Sequence, residues 1–97
     1  MISNIEEIVQ TKQVLEECKK EMAADKIAYS HDYEFGVMIE VPSAAMMVDL
    51  IARHVDFISI GTNDLTQYVC AVDRLNDKVE ALYDPYNPGF LRVMNQI

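Results

Sequence analysis

The chain has 97 residues, with 8 Lys+Arg against 16 Asp+Glu, a formal net charge of −8 and a pI near 4.5. This acidic balance argues against a nucleic-acid backbone as partner, because such affinity comes mostly from Lys/Arg clusters that release counterions. With 51 % hydrophobic and 25 % charged residues it is too apolar and too well mixed for a disordered acidic tail, and its length suits one small domain, residues 1–97, with no second domain.

In chain order, the first element reads as a helix from about Asn4 to Ala24. Ser3 with Glu6 three residues on has the form of a capping box, and Glu6 and Glu7 near the start with Lys19 and Lys20 near the end suit the helix dipole. Ile8, Leu15, Cys18 and Met22 recur at helical spacing with Thr11 completing it, and Glu16 and Lys20 are spaced to pair across one turn. After a polar stretch, Gly36-Val37-Met38-Ile39 is short and continuously apolar, as expected of a parallel strand covered on both faces, and it stops at Glu40. Pro42 and Ser43 open a second helix, with Ala44, Met47, Val48 and Ile51 on one face, ending near His54. A second strand, Val55 to Ile60, breaks into the polar cluster Gly61-Thr62-Asn63-Asp64 before an apolar-rich segment carrying Leu65, Tyr68, Val69 and Val72. The order helix, strand, helix, strand, helix predicts an α/β fold with parallel strands. Asp84 to Gly89 reads as a loop, and Phe90 to Ile97 begins a further helical pattern with no cap and no following strand. Two strands cannot bury a parallel sheet alone, so the chain is read as truncated from a larger α/β domain, expected to associate with copies of itself or to be poorly ordered.

No apolar run approaches the ~20 residues that span a bilayer, so membrane insertion is not expected. The N-terminus lacks a basic stretch before an apolar one, and Cys18 and Cys70 are too far apart for a Cys-x-x-Cys site, which suits a reducing cytoplasm. Both cysteines read as small buried hydrophobes, and Met22, Met38, Met46, Met47 and Met94 as core or buried-interface residues.

Sites in parallel α/β folds form at the carboxyl ends of the strands. Glu40 closes the first strand and Asp64 lies just past the second; on neighbouring strands both carboxylates would reach one cleft. Such a pair suits Mg²⁺, which is commonly held by one or two carboxylates with substrate phosphate and water completing its shell. Spacing equally allows Glu40 to pair with a Lys or Arg and Asn63 or Asp64 to cap the next helix. The Arg74 guanidinium suits bidentate phosphate binding, and equally a surface ion pair with its neighbour Asp73. His31 and His54 receive no role.

Gly36-Val37-Met38-Ile39-Glu40-Val41-Pro42-Ser43-Ala44-Ala45 and Asp56-Phe57-Ile58-Ser59-Ile60-Gly61-Thr62-Asn63-Asp64-Leu65-Thr66-Gln67-Tyr68, followed by Ala71-Val72-Asp73-Arg74, resemble the phosphoenolpyruvate-utilising enzyme family. Within it the likeness is to the C-terminal domain of the phosphoenolpyruvate-protein phosphotransferases (Enzyme I) of the bacterial sugar phosphotransferase system, over essentially the whole chain. The resemblance implies a (β/α)₈ TIM barrel of ~250 residues, of which these residues would be about three βα units from the middle. It implies Mg²⁺ as cofactor, with Glu40 and Asp64 matching its two ligands. Asn63 matches a residue contacting the phosphoryl group of phosphoenolpyruvate, and Arg74 a phosphate-binding arginine. It implies phosphoryl transfer to a histidine of a separate swivelling domain and on to the phosphocarrier protein HPr. Neither His31 nor His54 matches that histidine, and Cys70 does not match the family's acid cysteine, so the isolated chain is expected to be inactive. Pyruvate phosphate dikinase and phosphoenolpyruvate synthase share the core motif and stand as alternative parents. A non-catalytic self-associating module is a further alternative, and because the family's barrel carries its dimer interface, a homodimer is expected.

Overall fold

Helix α1, Ile5–Ala24, begins where a side chain closes its open end. In the computed structural model, which describes every residue from Met1 to Ile97, that cap is Asn4 and not Ser3. Asn4 Oδ1 accepts the Glu7 amide at 2.9 Å, and the Glu7 carboxylate accepts the Asn4 amide at 3.2 Å, so the capping box is set one residue later than Ser3–Glu6. Ser3 still contributes, since its amide and hydroxyl both donate to Glu7. These bonds favour the ionised carboxyl, led by the Ser3 amide, and hold Glu7 below its ordinary pKa. At the far end Lys26 takes a left-handed conformation (φ 56°), and the Ile27 amide donates to Met22 O at 2.8 Å.

The sheet is β1, Gly36–Ile39, paired in parallel with β2, Phe57–Ile60, in the register Gly36↔Phe57 to Ile39↔Ile60. Parallel pairing is as expected, although β2 starts two residues after Val55. Asp56 clamps the entry end: its amide donates to Phe35 O at 2.8 Å, and its carboxylate accepts the Phe35 amide at 2.7 Å. At the exit end the Gly61 amide donates to Ile39 O at 2.9 Å.

Between the strands, the single expected helix is two: α2, Pro42–Met46, and α3, Val48–Ile51. They part at Met47 (φ −122°, ψ 25°), where the ladder tightens to a Met47 N to Ala44 O bond and no Pro or Gly marks the break. Helix α4, Thr62–Cys70, starts inside the polar cluster, and α5, Pro88–Met94, starts inside the segment expected to be a loop, capped by Asn87, whose side chain accepts the Gly89 and Phe90 amides. A short 3₁₀ turn, Glu80–Leu82, lies between them.

The core is one cluster of Ile8, Val37, Ile39, Ala44, Ala45, Ile51, Leu65 and Phe90. Strand alternation sends Val37 and Ile39 into it and Met38 out of it. The outer sheet face is bare: Met38 is 47 % and Phe57 51 % exposed, so the strands are covered on one face where two were expected. Met46 is exposed as well, against its assignment to a core or interface. Cys18 is exposed, because α1 meets the core through Ile5 and Ile8 and the later turns of that helix run beyond it, and Cys70, the last residue of α4, is half-buried. Glu16 pairs with Lys19 and not with Lys20. The accessible surface of 6858 Å² exceeds the roughly 5,700 Å² of a compact monomer of this mass. The radius of gyration, 17.1 Å, likewise exceeds the ~13 Å typical of a chain this long. No helix is long and apolar enough to cross a membrane.

Because Glu7 has a lowered pKa in the folded chain, its contribution to the cap is present above the ordinary carboxylate pKa and is lost as pH falls through the lowered value. The Ser3 and Asn4 amide resonances are expected to titrate together with Glu7, and hydrogen exchange in the first turn of α1 to accelerate, in that acidic window. Amides of Ser3 and Asn4 that ignore the Glu7 titration would contradict this cap.

Candidate functional site

The exit ends of β1 and β2 lie side by side, so Glu40 and the start of α4 share one edge of the sheet. Glu40 follows Ile39 and alternates onto the side of Met38, the bare face. Gly61 makes this closeness possible: a Cβ there would stand 2.8 Å from Glu40 Cβ and 2.8 Å from Met38 Sδ. The half-buried Glu40 forms neither of the chain's two salt bridges, so the alternative of a Lys or Arg partner is not realised within this chain.

Asn63 and Asp64 lie in the first turn of α4, yet neither caps it: the N-cap is Gly61, with no side-chain cap bond. Asp64 Oδ1 instead accepts Arg74 Nη2 at 3.0 Å, with side chains 28 % and 35 % exposed. Arg74 therefore pairs with the carboxylate ten residues back and not with Asp73, whose carboxylate accepts the Leu75 amide. An ion pair this accessible contributes at most about 1 kcal/mol. Arg74 Nε is buried with no acceptor. Asn63 is exposed, and its carbonyl accepts the Tyr83 hydroxyl at 3.3 Å. His31 and His54 lie outside this group.

The return of Arg74 to Asp64 depends on how α4 ends. Ala71 is left-handed (φ 53°, ψ 44°), the Val72 amide donates to Gln67 O at 2.9 Å, and the chain reverses in a Schellman turn. The Gln67 side chain then accepts the Arg74 amide at 3.1 Å. Gln67 and Tyr83 are site residues that sequence reasoning did not single out. Gln67 carries one usable signal, its i+3 spacing from Asp64 on a helix face; Tyr83 carries none.

The donor set fits a hard divalent cation that keeps open positions. Glu40 and Asp64 would be its oxygen donors, Asp64 Oδ2 takes no hydrogen bond, and no group of three or more His, Cys, Asp or Glu side chains gathers anywhere in the chain.

Across residues 1–97 the chain matches the family described as PEP-utilising enzyme, PEP-binding domain. It is 47 % identical over 97 residues to the phosphoenolpyruvate-protein phosphotransferase of Priestia megaterium and 46 % identical over 97 residues to that of Streptococcus equinus, covering 100 % of this chain and 17 % of each relative. The phosphoenolpyruvate-protein phosphotransferase of Mycoplasma capricolum is 48 % identical over 94 residues, which is 97 % of this chain and 16 % of that protein. The chain thus spans about a sixth of the length of these relatives.

Two substitutions test the local geometry. Gly61→Ala is expected to destabilise the chain by about 1–3 kcal/mol in denaturant unfolding, since the added methyl meets the Glu40 Cβ and Met38 Sδ. Ala71→Gly is expected to stabilise it by about 0.5–1 kcal/mol, because glycine takes the left-handed conformation without the Cβ penalty.

Proposed function

The chain belongs to the PEP-utilising enzyme family through its PEP-binding domain, and we propose that it is the part of a (β/α)₈ barrel that carries the Mg²⁺ ligands and part of the phosphate site of a phosphoenolpyruvate-protein phosphotransferase. The observation that carries this reading is the Asp64–Arg74 pair, bonded at 3.0 Å on the helix that leaves β2, at the same exit edge of the parallel pair as Glu40, which forms no salt bridge. The bare sheet face and the open strand edges support the barrel, because they are the surfaces that flanking βα units would cover.

On this reading Glu40 and Asp64 would hold Mg²⁺, which would supply charge neutralisation at the phosphoryl oxygens. Arg74 presents a planar fork to two phosphate oxygens, and the Nε donor that lacks an acceptor is one tine of that fork. Asn63, exposed beside Asp64, offers its amide to the same phosphoryl group. The acceptor is a histidine outside these 97 residues, from which the group passes to HPr. The chain should therefore bind but not transfer. The same residues would serve a pyruvate phosphate dikinase or phosphoenolpyruvate synthase, but the relatives named above are protein phosphotransferases.

A second reading, association of the chain with copies of itself, is favoured by the roughly 1,200 Å² of surface in excess of a compact monomer. It is compatible with the first, since an uncovered sheet face seeks any complementary surface.

Phosphoenolpyruvate binding by this chain, followed by calorimetry, is expected to require Mg²⁺ and to weaken at least tenfold in Glu40→Ala and in Asp64→Ala. Unchanged affinity in both folded variants would remove these residues from the metal site.

A further inference from the structure

We infer that the Asp64–Arg74 ion pair is an exchangeable latch: Arg74 occupies Asp64 until an oxyanion draws the guanidinium away, so a divalent cation and the anion bind cooperatively, with Gln67 as the positioning residue. This inference rests on the proposed reading of Glu40 and Asp64 as cation ligands.

Three observations lead to it. Arg74 reaches Asp64 through a single bond, Nη2 to Oδ1 at 3.0 Å, and its Nε is buried without an acceptor, so the guanidinium sits in a poor resting position. A phosphate oxyanion offers two oxygens to a guanidinium fork and satisfies more of its donors than Oδ1 does. The pair is also partly exposed, 35 % for Arg74 and 28 % for Asp64, so exchange requires no unpacking of the core.

The coupling follows from charge. A guanidinium and a divalent cation on one carboxylate repel each other, and an anion that takes up the guanidinium relieves the repulsion. By linkage, whatever factor the anion adds to cation affinity, the cation adds to anion affinity. The backbone of Arg74 stays in place during exchange, because its amide is held by Gln67 Oε1 at 3.1 Å and the Schellman turn fixes the approach. Only the side chain swings. Gln67 thus acts through Arg74, setting the distance from which the guanidinium can reach either partner.

The test uses the 97-residue chain labelled with ¹⁵N, at constant ionic strength, with Mg²⁺ and inorganic phosphate added separately and together, free Mg²⁺ being corrected for complexation by phosphate. Phosphate is expected to shift the Arg74 Nε–H resonance and to tighten Mg²⁺ binding about three- to fivefold, the scale of an ion pair this exposed. Arg74→Gln is expected to bind Mg²⁺ alone tighter by a similar factor and to lose the phosphate effect. Gln67→Met, close in size but without the acceptor, is expected to keep Mg²⁺ binding and lose at least half of the coupling. An Arg74→Gln chain that binds Mg²⁺ no tighter, or that keeps the phosphate enhancement, overturns the latch, and undiminished coupling in Gln67→Met overturns the role of Gln67. The underlying site is judged separately by Glu40→Gln: Mg²⁺ shifts that this variant leaves untouched, or no Mg²⁺ shifts in any form, overturn the cation site and the latch together. Glu40-sensitive Mg²⁺ binding without coupling overturns the latch alone.

Discussion

The register of the two parallel strands is the constraint on which the rest of the molecule depends. Ile39 opposite Ile60, extended by the Gly61 amide on Ile39 O, makes both strands end at one edge. Side chains alternate with period two, so a slip of one residue would carry Glu40 from the side of Met38 to the side of Val37 and Ile39. There it would face the apolar cluster, where an unpaired carboxylate is costly to bury. The same slip would turn Val37 and Ile39 outward. Core and site therefore select one register together, and Gly61, with no Cβ to clash with Glu40, lets that edge close.

Much of this was legible in the residues, and the rest was hidden for identifiable reasons. Short apolar runs with abrupt polar ends place β1 and β2, and the i, i+3, i+4, i+7 pattern of Ala44, Met47, Val48 and Ile51 places the intervening helical segment. The cap of α1 was ambiguous, because Ser3-x-x-Glu6 and Asn4-x-x-Glu7 both satisfy the rule and overlap by three residues. Helical spacing puts Cys18 in line with Ile8 but cannot say how far the core extends along a helix about 30 Å long. At the site, Glu40 and Asp64 were readable from their place after strands. The partner of Arg74 was not, because it depends on a left-handed turn at Ala71, and an alanine gives no sign of that conformation.

The bare sheet face shows what a continuous apolar strand means. Gly36-Val37-Met38-Ile39 has the composition of a strand buried on both sides, but helices and loops of this chain cover only the side of Val37 and Ile39. Phe57 lies across Gly36, whose missing side chain gives the ring room, and so shields part of the other side. Met38 and Phe57 remain about half exposed. The local structure is thus closed where helices pack and open on the opposite sheet face. Glu40 stands at the rim of the open face, so anything that covered that face would also set the dielectric around the carboxylate.

On the proposed reading, charge at the site would decide the order in which ligands can act. Glu40, Asp64 and Arg74 carry a formal sum of −1, within a chain whose own net charge is −8. A phosphate ester approaching this edge meets repulsion from both the local group and the long-range field, and a single guanidinium already engaged by Asp64 does little to offset it. A divalent cation on the two carboxylates would bring the local sum to +1 and reverse the sign seen by the anion. On the proposed reading, two carboxylates and one arginine make a site that admits its anionic substrate with a metal ion and rejects it without one. On that reading a metal requirement would follow from the charge count at this edge, with no further residue needed to impose it.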